Sequence, residues 1–488
     1  MLKSKLGAVD WGLVIVFVVT FFLRIINLGY SDYISDEPGT FFYRGYGVNS
    51  HLSHWEFLLH QRKGPLQILI GYIPYSIFGN YDHEFAQRLP FALFGAFAVI
   101  ILYKLIEKLT SDKLVALIGS FLLATNGLMV AYGRIAQYQN LNLFFSLSAL
   151  YFYAHFKEKP LKNSLLGTLM FCISAYAHTD AIYILIPILY VLIKNFRLLN
   201  IKIILLNLFL MIVVLCPFFV PYIKYQQASA ESMGYLGSIV GKGLPFTRRP
   251  DIRQFNLYNP FLTLPFYLIL GVIGLTKKKA TLFSIWFFVI LAIFRFGISY
   301  SGLHFYNIFI PLVVLAGFGV RRLLDFTLKL RYLIFLVVTV FLAFFFFFYQ
   351  SYMLFVDHTK EYPVESENIL WWKAEKKERE DDYRHKTGFP HKRYWHQISE
   401  FINGQNMARG EDYGYVTNEN RVDQYYMDVE YRNSNGYYVI GIKRPLSLTY
   451  DYKFPHIKNK STVQKIKNGA GDTVVQIWRV EAKYEVSN

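Results

Sequence analysis

The first 350 residues alternate long apolar segments with short polar ones. A membrane-spanning helix needs about 20 mostly apolar residues, and by that measure the pattern predicts about eleven spans. Residues 65–79 are apolar too, but this segment is short and contains Pro74, so its crossing is doubtful. The predicted spans are 10–28, 90–107, 114–131, 140–156, 163–179, 181–196, 202–223, 260–276, 281–299, 303–321 and 331–350.

The basic residues of the short loops decide whether residues 65–79 cross, because Lys and Arg are enriched in cytoplasmic loops. If this segment does not cross, every basic loop falls on the same side as Lys3 and Lys5. We therefore predict a helix that lies on the outer face or dips into it, and an N-terminus on the inner side. The first outer loop, residues 29–89, and the C-terminus then share the outer side.

After the last predicted span the sequence becomes rich in charged residues, which indicates a soluble domain at 351–488. About 135 residues are enough for such a domain to fold by itself. Helical spacing at 394–402 and strand patterns at 413–417, 437–442 and 474–480 predict an α/β domain. The predicted architecture is a polytopic α-helical membrane domain, residues 1–350, followed by this extracytoplasmic domain.

Composition supports a membrane protein, because 54% hydrophobic and 18% aromatic residues exceed what a soluble core requires. The net charge of +17 would suit nucleic acid, but much of it lies in short loops between spans, where it sets topology and attracts anionic lipid. We therefore expect membrane lipids and lipid-linked anions as partners, and no nucleic acid. Both cysteines, Cys172 and Cys216, lie in apolar segments, so no disulfide framework is expected.

The first outer loop carries the leading candidates for chemistry. Asp36 and Glu37 follow the first span, where a carboxylate can accept a proton from a hydroxyl or bind a divalent metal; a solvated turn is the alternative. Arg62 and Lys63 precede an apolar segment, a position that suits the phosphate of a lipid carrier, although snorkelling explains it too. One helical turn separates two residues that we interpret as a structural clamp, Glu84 and Arg88.

Further candidates lie in the later outer turns. Arg134 can face a lipid phosphate or the catalytic acids, and Asp180 is a candidate second acid. His304 stands at the outer end of a late span, where it can contact a donor. An interfacial or solvated structural role is the alternative for each of them. Two arginines of the longest later loop can close over a phosphate, Arg248 and Arg249. The spacing of His51, His54 and His60 matches no compact zinc signature, so we assign no zinc to these histidines.

Several motifs occur in a characteristic order on one predicted side: Asp36-Glu37, then Lys63-Gly-Pro-Leu, then Arg134-Ile-Ala-Gln137, then the segment from Tyr306. In this order the chain resembles the GT-C superfamily of integral-membrane glycosyltransferases, especially protein O-mannosyltransferases and lipid A aminoarabinose transferases. The resemblance covers roughly residues 10–350. Two departures are Gln139, where relatives often carry an acid, and Gly64, where they carry a first proline.

The resemblance implies an inverting transferase that moves a sugar from a polyprenyl-phosphate carrier to a lipid, glycan or protein acceptor on the outer side. Asp36 would be the general base and Glu37 its neighbour. Apart from the resemblance, the two carboxylates are the candidate ligands if a divalent cation such as Mg²⁺ or Mn²⁺ is bound. No Gly-rich phosphate loop is found, so no nucleotide cofactor is expected. By the resemblance Lys63 would contact the donor phosphate. Charge and position add Arg62, Arg134, Arg248, Arg249 and His304 as donor-phosphate candidates, and the substrate-binding candidates are Gln137, Asp180 and Tyr306.

Two other functions fit a similar hydropathy pattern: a flippase or transporter of lipid-linked saccharides, and an oligosaccharide ligase that uses a lipid-diphosphate donor. Transporters place their working charges near the middle of the bilayer, often on broken helices in related halves. Here the charges gather outside and no repeated half is found, which favours the transferase. We expect the protein in a prokaryotic cytoplasmic (inner) membrane.

Overall fold

The chain forms two compact units in the computed structural model. The first unit comprises Met1–Ile26, Leu58–Gln67 and Phe91–Met353, and the second comprises Asn27–Phe57, Ile68–Pro90 and Leu354–Asn488. The second unit thus contains parts of the predicted first outer loop as well as the predicted C-terminal domain. The structure describes residues 10–33, 37, 41, 53–61, 64–227, 255, 258–259, 263–297, 302–326, 330–359, 366–369, 372–375, 388–390, 392–409, 414–418, 422–427, 436–442, 460–469 and 471–484.

Every segment predicted as a span contains helix, and so do residues 65–79. The helices up to residue 355 are Trp11–Ile25 (α1), His54–His60 (α2), Leu66–Phe78 (α3), Glu84–Thr110 (α4), Lys113–Ala124 (α5), Gly127–Tyr132 (α6), Tyr138–Ala154 (α7), Pro160–Ala177 (α8), Leu185–Lys194 (α9), Ile201–Gln227 (α10), Thr263–Gly274 (α11), Thr281–Ala292 (α12), Tyr306–Phe326 (α13) and Leu330–Phe355 (α14).

Several of these helices have the length and composition of membrane spans, which indicates an integral membrane protein. α10 and α14 bury few of their apolar side chains, as expected of helices that face lipid. The total number of spans and the placement of α3 on the outer face stay predictions. The described segments that are long and apolar enough to cross are Glu84–Thr110, Ile201–Tyr225, Lys278–Phe296, Tyr306–Phe326 and Arg331–Phe355.

The core of the first unit is built around α13, which is buried along most of its length. It packs on α5, α11 and α12. Glycines allow the closest approach: a Cβ on Gly319 would lie 2.0 Å from the carbonyl oxygen of Leu270, and one on Gly274 would lie 2.0 Å from that of Leu315. Small residues at helix crossings let two backbones meet, which is how apolar helices gain packing energy in lipid.

Polar caps determine where two of the helices begin. The Asp112 carboxylate accepts the N–H groups of Leu114 and Val115 and starts α5. Asn126 accepts the N–H of Met129, so the predicted span at 114–131 is interrupted between α5 and α6. Such caps satisfy the N–H groups that the first turn of a helix leaves without partners.

The second unit contains the α/β part of the chain. Helix Trp395–Arg409 (α15) buries Trp395, Ile398 and Ile402, and it covers the predicted helix at 394–402. A four-stranded sheet has the order β3-β4-β6-β5, in which β3 and β4 are parallel and the other pairs antiparallel. The three predicted strands correspond to β3, β4 and β6. The strands are Ser366–Ile369 (β1), Trp372–Glu375 (β2), Gly414–Thr417 (β3), Gly436–Ile442 (β4), Lys460–Lys467 (β5) and Thr473–Tyr484 (β6), with β1 and β2 in a separate hairpin.

Candidate functional site

A cluster of two histidines and an aspartate lies in the first unit, where α8 and α13 meet irregular backbone. α8 ends at Ala177, and His178 turns into extended backbone. The Nδ1 atom of His178 accepts the N–H of Asp180 at 3.1 Å and so starts the short 3₁₀ helix Thr179–Ile184. His304 comes from a second 3₁₀ turn, Gly302–Phe305, directly before α13.

The Asp180 carboxylate joins the two imidazoles. Its Oδ1 atom lies 3.1 Å from Nδ1 of His178, and its Oδ2 atom lies 2.9 Å from Nδ1 of His304. Asp180 is buried, whereas both histidines are partly exposed. Burial would raise the pKa of Asp180, but His178 and His304 outweigh it and hold that pKa below its usual value. The carboxylate is therefore ionised at neutral pH.

Aromatic and amide side chains position this cluster. The ring of Tyr138 stacks on His178 with centroids 3.9 Å apart, and its hydroxyl lies 3.4 Å from Nδ1 of His304. Asn307 donates from Nδ2 to Asp180 Oδ2 at 3.3 Å. Asp180 and His304, two of the predicted site residues, are thus brought together across 124 positions of sequence. His178, Tyr138 and Asn307 were not predicted; the short His178-x-Asp180 spacing was the available signal for the first.

The predicted substrate residue Tyr306 is buried close to this cluster. Its side chain is 1% exposed, and its hydroxyl accepts a hydrogen bond from Asn142 Nδ2 at 3.4 Å. Gln137 is also buried, and its Nε2 atom has no hydrogen-bond partner among the described residues. Neither side chain is open to solvent in this arrangement, so a substrate would reach them only after side-chain movement.

Gly64 connects the predicted phosphate-binding segment to the same region. A Cβ at this position would lie 2.0 Å from the carbonyl oxygen of Tyr176 and 2.9 Å from that of Ala177. The backbone after Lys63 therefore lies against the last turn of α8, immediately before His178. This contact gives a physical reason for glycine at position 64. The predicted residues outside the described part of the chain are Asp36, Arg62, Lys63, Arg248 and Arg249.

We expect Gly64→Ala to destabilise the first unit, because its methyl group overlaps a backbone oxygen that cannot rotate away. Overpacking of this kind costs about 1 to 3 kcal/mol. Thermal unfolding in detergent measures the effect. Gly404→Ala is the matched control, because a Cβ there meets nothing within 4 Å, and its helical position favours alanine. Equal melting temperatures for the two variants would contradict the close approach at Gly64.

In the second unit, Glu37 forms a buried ion pair with Arg88. Arg88 donates from Nε and Nη2 to the two carboxylate oxygens of Glu37, each at 2.8 Å, and Glu37 is 0% exposed. The guanidinium also donates to backbone carbonyls of the same loop: those of Ser31 at 2.6 Å, Asp32 at 3.0 Å and Leu28 at 3.2 Å. A bidentate pair with this many additional bonds is an anchor for the loop.

Glu84, the predicted partner of Arg88, has different contacts. Its Oε1 atom accepts a hydrogen bond from the Tyr426 hydroxyl at 2.6 Å and lies 3.5 Å from Nε2 of His396. The spacing of Glu84 and Arg88 thus places two structural residues on one helix, but each binds a distant segment. Nearby, burial together with the charge of Glu84 raises the pKa of Asp32 to about 6. Asp32 accepts the backbone N–H of Arg393.

Arg134, a predicted phosphate ligand, binds the end of α1 in the first unit. It is 6% exposed and donates from Nη1 to the carbonyl oxygens of Leu23 at 3.0 Å and Ile26 at 2.8 Å. Carbonyls at the C-terminus of a helix lack partners within the helix and favour a cation. These contacts support the structural interpretation of Arg134.

The apolar helices indicate an integral membrane protein, and the cluster of His178, Asp180 and His304 lies at the ends of such helices. Residues 62–220 match the family model of the dolichyl-phosphate-mannose-protein mannosyltransferases. The match confirms the predicted resemblance to the GT-C glycosyltransferases of the protein O-mannosyltransferase branch. Comparison with curated proteins gives no match.

Solved structures of two transferases are similar to this chain at low sequence identity. ArnT from Cupriavidus metallidurans, bound to undecaprenyl phosphate, has 14% identity and a TM-score of 0.48, over 68% of this chain and 62% of ArnT. The oligosaccharyltransferase AglB from Archaeoglobus fulgidus, in complex with an inhibitory peptide and a dolichol-phosphate, has 12% identity and a TM-score of 0.48, over 89% of this chain and 69% of AglB. The chain thus spans less than two thirds of ArnT.

Proposed function

We propose that this protein is an inverting glycosyltransferase that moves a sugar from a polyprenyl-phosphate carrier to an acceptor hydroxyl on the outer side of the membrane. The observation that carries the proposal is the family match over residues 62–220, since that family takes its sugar from a lipid phosphate by name. The acceptor class is a lipid, a glycan or a protein. The membrane is the cytoplasmic membrane of a prokaryote, with the N-terminus inside and the C-terminal domain outside.

In the proposed reaction the acceptor oxygen attacks the anomeric carbon from the side opposite the phosphate. The bond between that carbon and the phosphate oxygen breaks, the carrier phosphate leaves with the bonding electrons, and the acceptor proton passes to the Asp36 carboxylate. Lys63 and Arg62 would hold the leaving phosphate, with Arg248 and Arg249 closing over it. A lipid phosphate is already a good leaving group, so no nucleotide is needed.

We assign Glu37 the role of holding in place the loop that carries Asp36. Arg88 holds both carboxylate oxygens of Glu37 and so anchors the loop at this residue, which is the next one after Asp36 in the sequence. The same contacts make Glu37 unsuitable as a ligand for Mg²⁺ or Mn²⁺, since its oxygens already bind a cation. We therefore assign Glu37 to positioning and leave Asp36 as the base.

The proposal is tested in proteoliposomes with radiolabelled sugars on undecaprenyl phosphate, a lipid monophosphate, and with membrane extract as the source of acceptors. We expect the label to move to an acceptor while free undecaprenyl phosphate is released. Label that crosses the bilayer still attached to its carrier would establish the flippase instead. Transfer only from undecaprenyl diphosphate sugars would establish the ligase.

A further inference from the structure

Two electron-rich atoms meet at His178. The backbone N–H of Asp180 donates to Nδ1 of His178 at 3.1 Å, so this nitrogen is an acceptor and presents a lone pair. The Oδ1 atom of Asp180 nevertheless approaches the same nitrogen to 3.1 Å. An imidazole nitrogen has either one lone pair or one proton, so Nδ1 cannot accept the Asp180 N–H and donate to Oδ1 at the same time. A cation that takes this lone pair in place of the Asp180 N–H would satisfy both Nδ1 and the approaching carboxylate.

Nδ1 of His304 points at the same carboxylate from the other side, 2.9 Å from Oδ2 of Asp180. The ligand atoms of the three side chains lie within 4.8 Å of one another. In a tetrahedral site with bonds of about 2.1 Å the ligand atoms lie about 3.4 Å apart, so the outermost atoms need to close by at most on the order of 1.4 Å. Small rotations of partly exposed imidazoles supply that movement.

The donor set selects the class of ion. Two imidazole nitrogens and one carboxylate oxygen suit Zn²⁺ and similar borderline metals, whereas Mg²⁺ prefers oxygen ligands. Outer contacts of the kind that orient metal ligands are also present: Asn307 donates to the Asp180 carboxylate, and Tyr138 stacks on His178. The Asp180 charge also offsets part of the charge of the ion.

We propose that His178, Asp180 and His304 bind one divalent cation of the Zn²⁺ class through the two Nδ1 atoms and a carboxylate oxygen. The site differs from Asp36 and Glu37, the candidate Mg²⁺ or Mn²⁺ ligands of the sequence analysis. It goes beyond the proposed function, because it stands whether or not the chain transfers a sugar. The alternative occupant of the cluster is a proton, shared as an imidazolium–carboxylate pair.

The test uses the full chain, purified in detergent without a polyhistidine tag and treated with a chelator. Co²⁺ is titrated as a spectroscopic probe, and bound Zn²⁺ is measured by elemental analysis after reconstitution. We expect one ion per chain and a Co²⁺ absorption band of a nitrogen- and oxygen-coordinated site. Excess Mg²⁺ should leave that band unchanged.

His178→Ala and His304→Ala should weaken Co²⁺ binding about 100-fold or more. His155→Ala is the matched control, because His155 follows α7 in the same unit and its Nδ1 contacts the carbonyl of Tyr151 instead. It should bind the ion as the wild type does. Thermal unfolding of each variant without metal separates ligand loss from misfolding.

Three results would overturn the proposal. Wild-type protein that takes up no stoichiometric Co²⁺ or Zn²⁺ would leave the cluster as a protonated pair. Equal affinities in the wild type and in both histidine variants would place the ion elsewhere. Displacement of Co²⁺ by Mg²⁺ at comparable concentration would exclude nitrogen ligands. The wild-type titration alone decides the first case, so it does not depend on whether any variant folds.

Discussion

Glu37→Ala should lower the free energy of unfolding of the second unit by about 3 to 5 kcal/mol, because it leaves the Arg88 guanidinium buried without a counter-charge. Arg88 would keep its bonds to the carbonyls of Leu28, Ser31 and Asp32, but these dipoles do not neutralise it. The loss should appear as a lower melting temperature and faster proteolysis near residues 27–57.

A second substitution, Arg88→Met, shows whether the lost stability comes from the lost attraction or from the unpaired charge that Glu37→Ala leaves buried. Glu37→Ala combined with Arg88→Met should recover part of the stability, since no unpaired charge then remains in the interior. Glu158→Ala is the matched control: Glu158 pairs with Lys108 at an exposed position, where water screens the charges, and little change is expected. A double variant that is no more stable than Glu37→Ala would contradict the anchoring role of the ion pair.

Asp36→Asn should lower the rate of sugar transfer by about 100-fold to 10,000-fold, because the amide cannot accept the acceptor proton. The melting temperature and the KM for the donor should change little, since Asn keeps the size and polarity of the side chain. The measurement is initial rate against donor concentration in proteoliposomes, with unfolding followed in parallel.

Asp357→Asn serves as the control for this experiment. Asp357 is a partly exposed acid that binds the N–H and hydroxyl of Thr359, so its amide variant should keep both rate and stability. Glu37→Ala should differ from Asp36→Asn by losing stability as well as rate. Full activity of Asp36→Asn would reject the assignment of the general base and move the search to other acids of the first outer loop.

The prediction for Glu84 and Arg88 shows what helical spacing can predict about two residues and what it cannot. An i, i+4 interval correctly places both residues on one helix, and it predicts a pair worth only a few tenths of a kcal/mol. Arg88 instead binds Glu37, which is 51 positions away, and Glu84 binds Tyr426, 342 positions away. Because these groups are buried, losing a distant partner costs far more than losing the local pair, and burial is not a local property of the sequence.

The sequence by itself determined the apolar helices and the resemblance to a transferase family. These properties depend on runs of about 20 residues and on short motifs, so neighbouring positions carry them. Only the tertiary structure decided that Glu37 is an anchor for its loop, that Arg134 caps α1, and that His178, Asp180 and His304 converge. The reason is physical: the charge on a side chain is determined by its type, but its role depends on which opposite charge or lone pair lies within about 3 Å after folding.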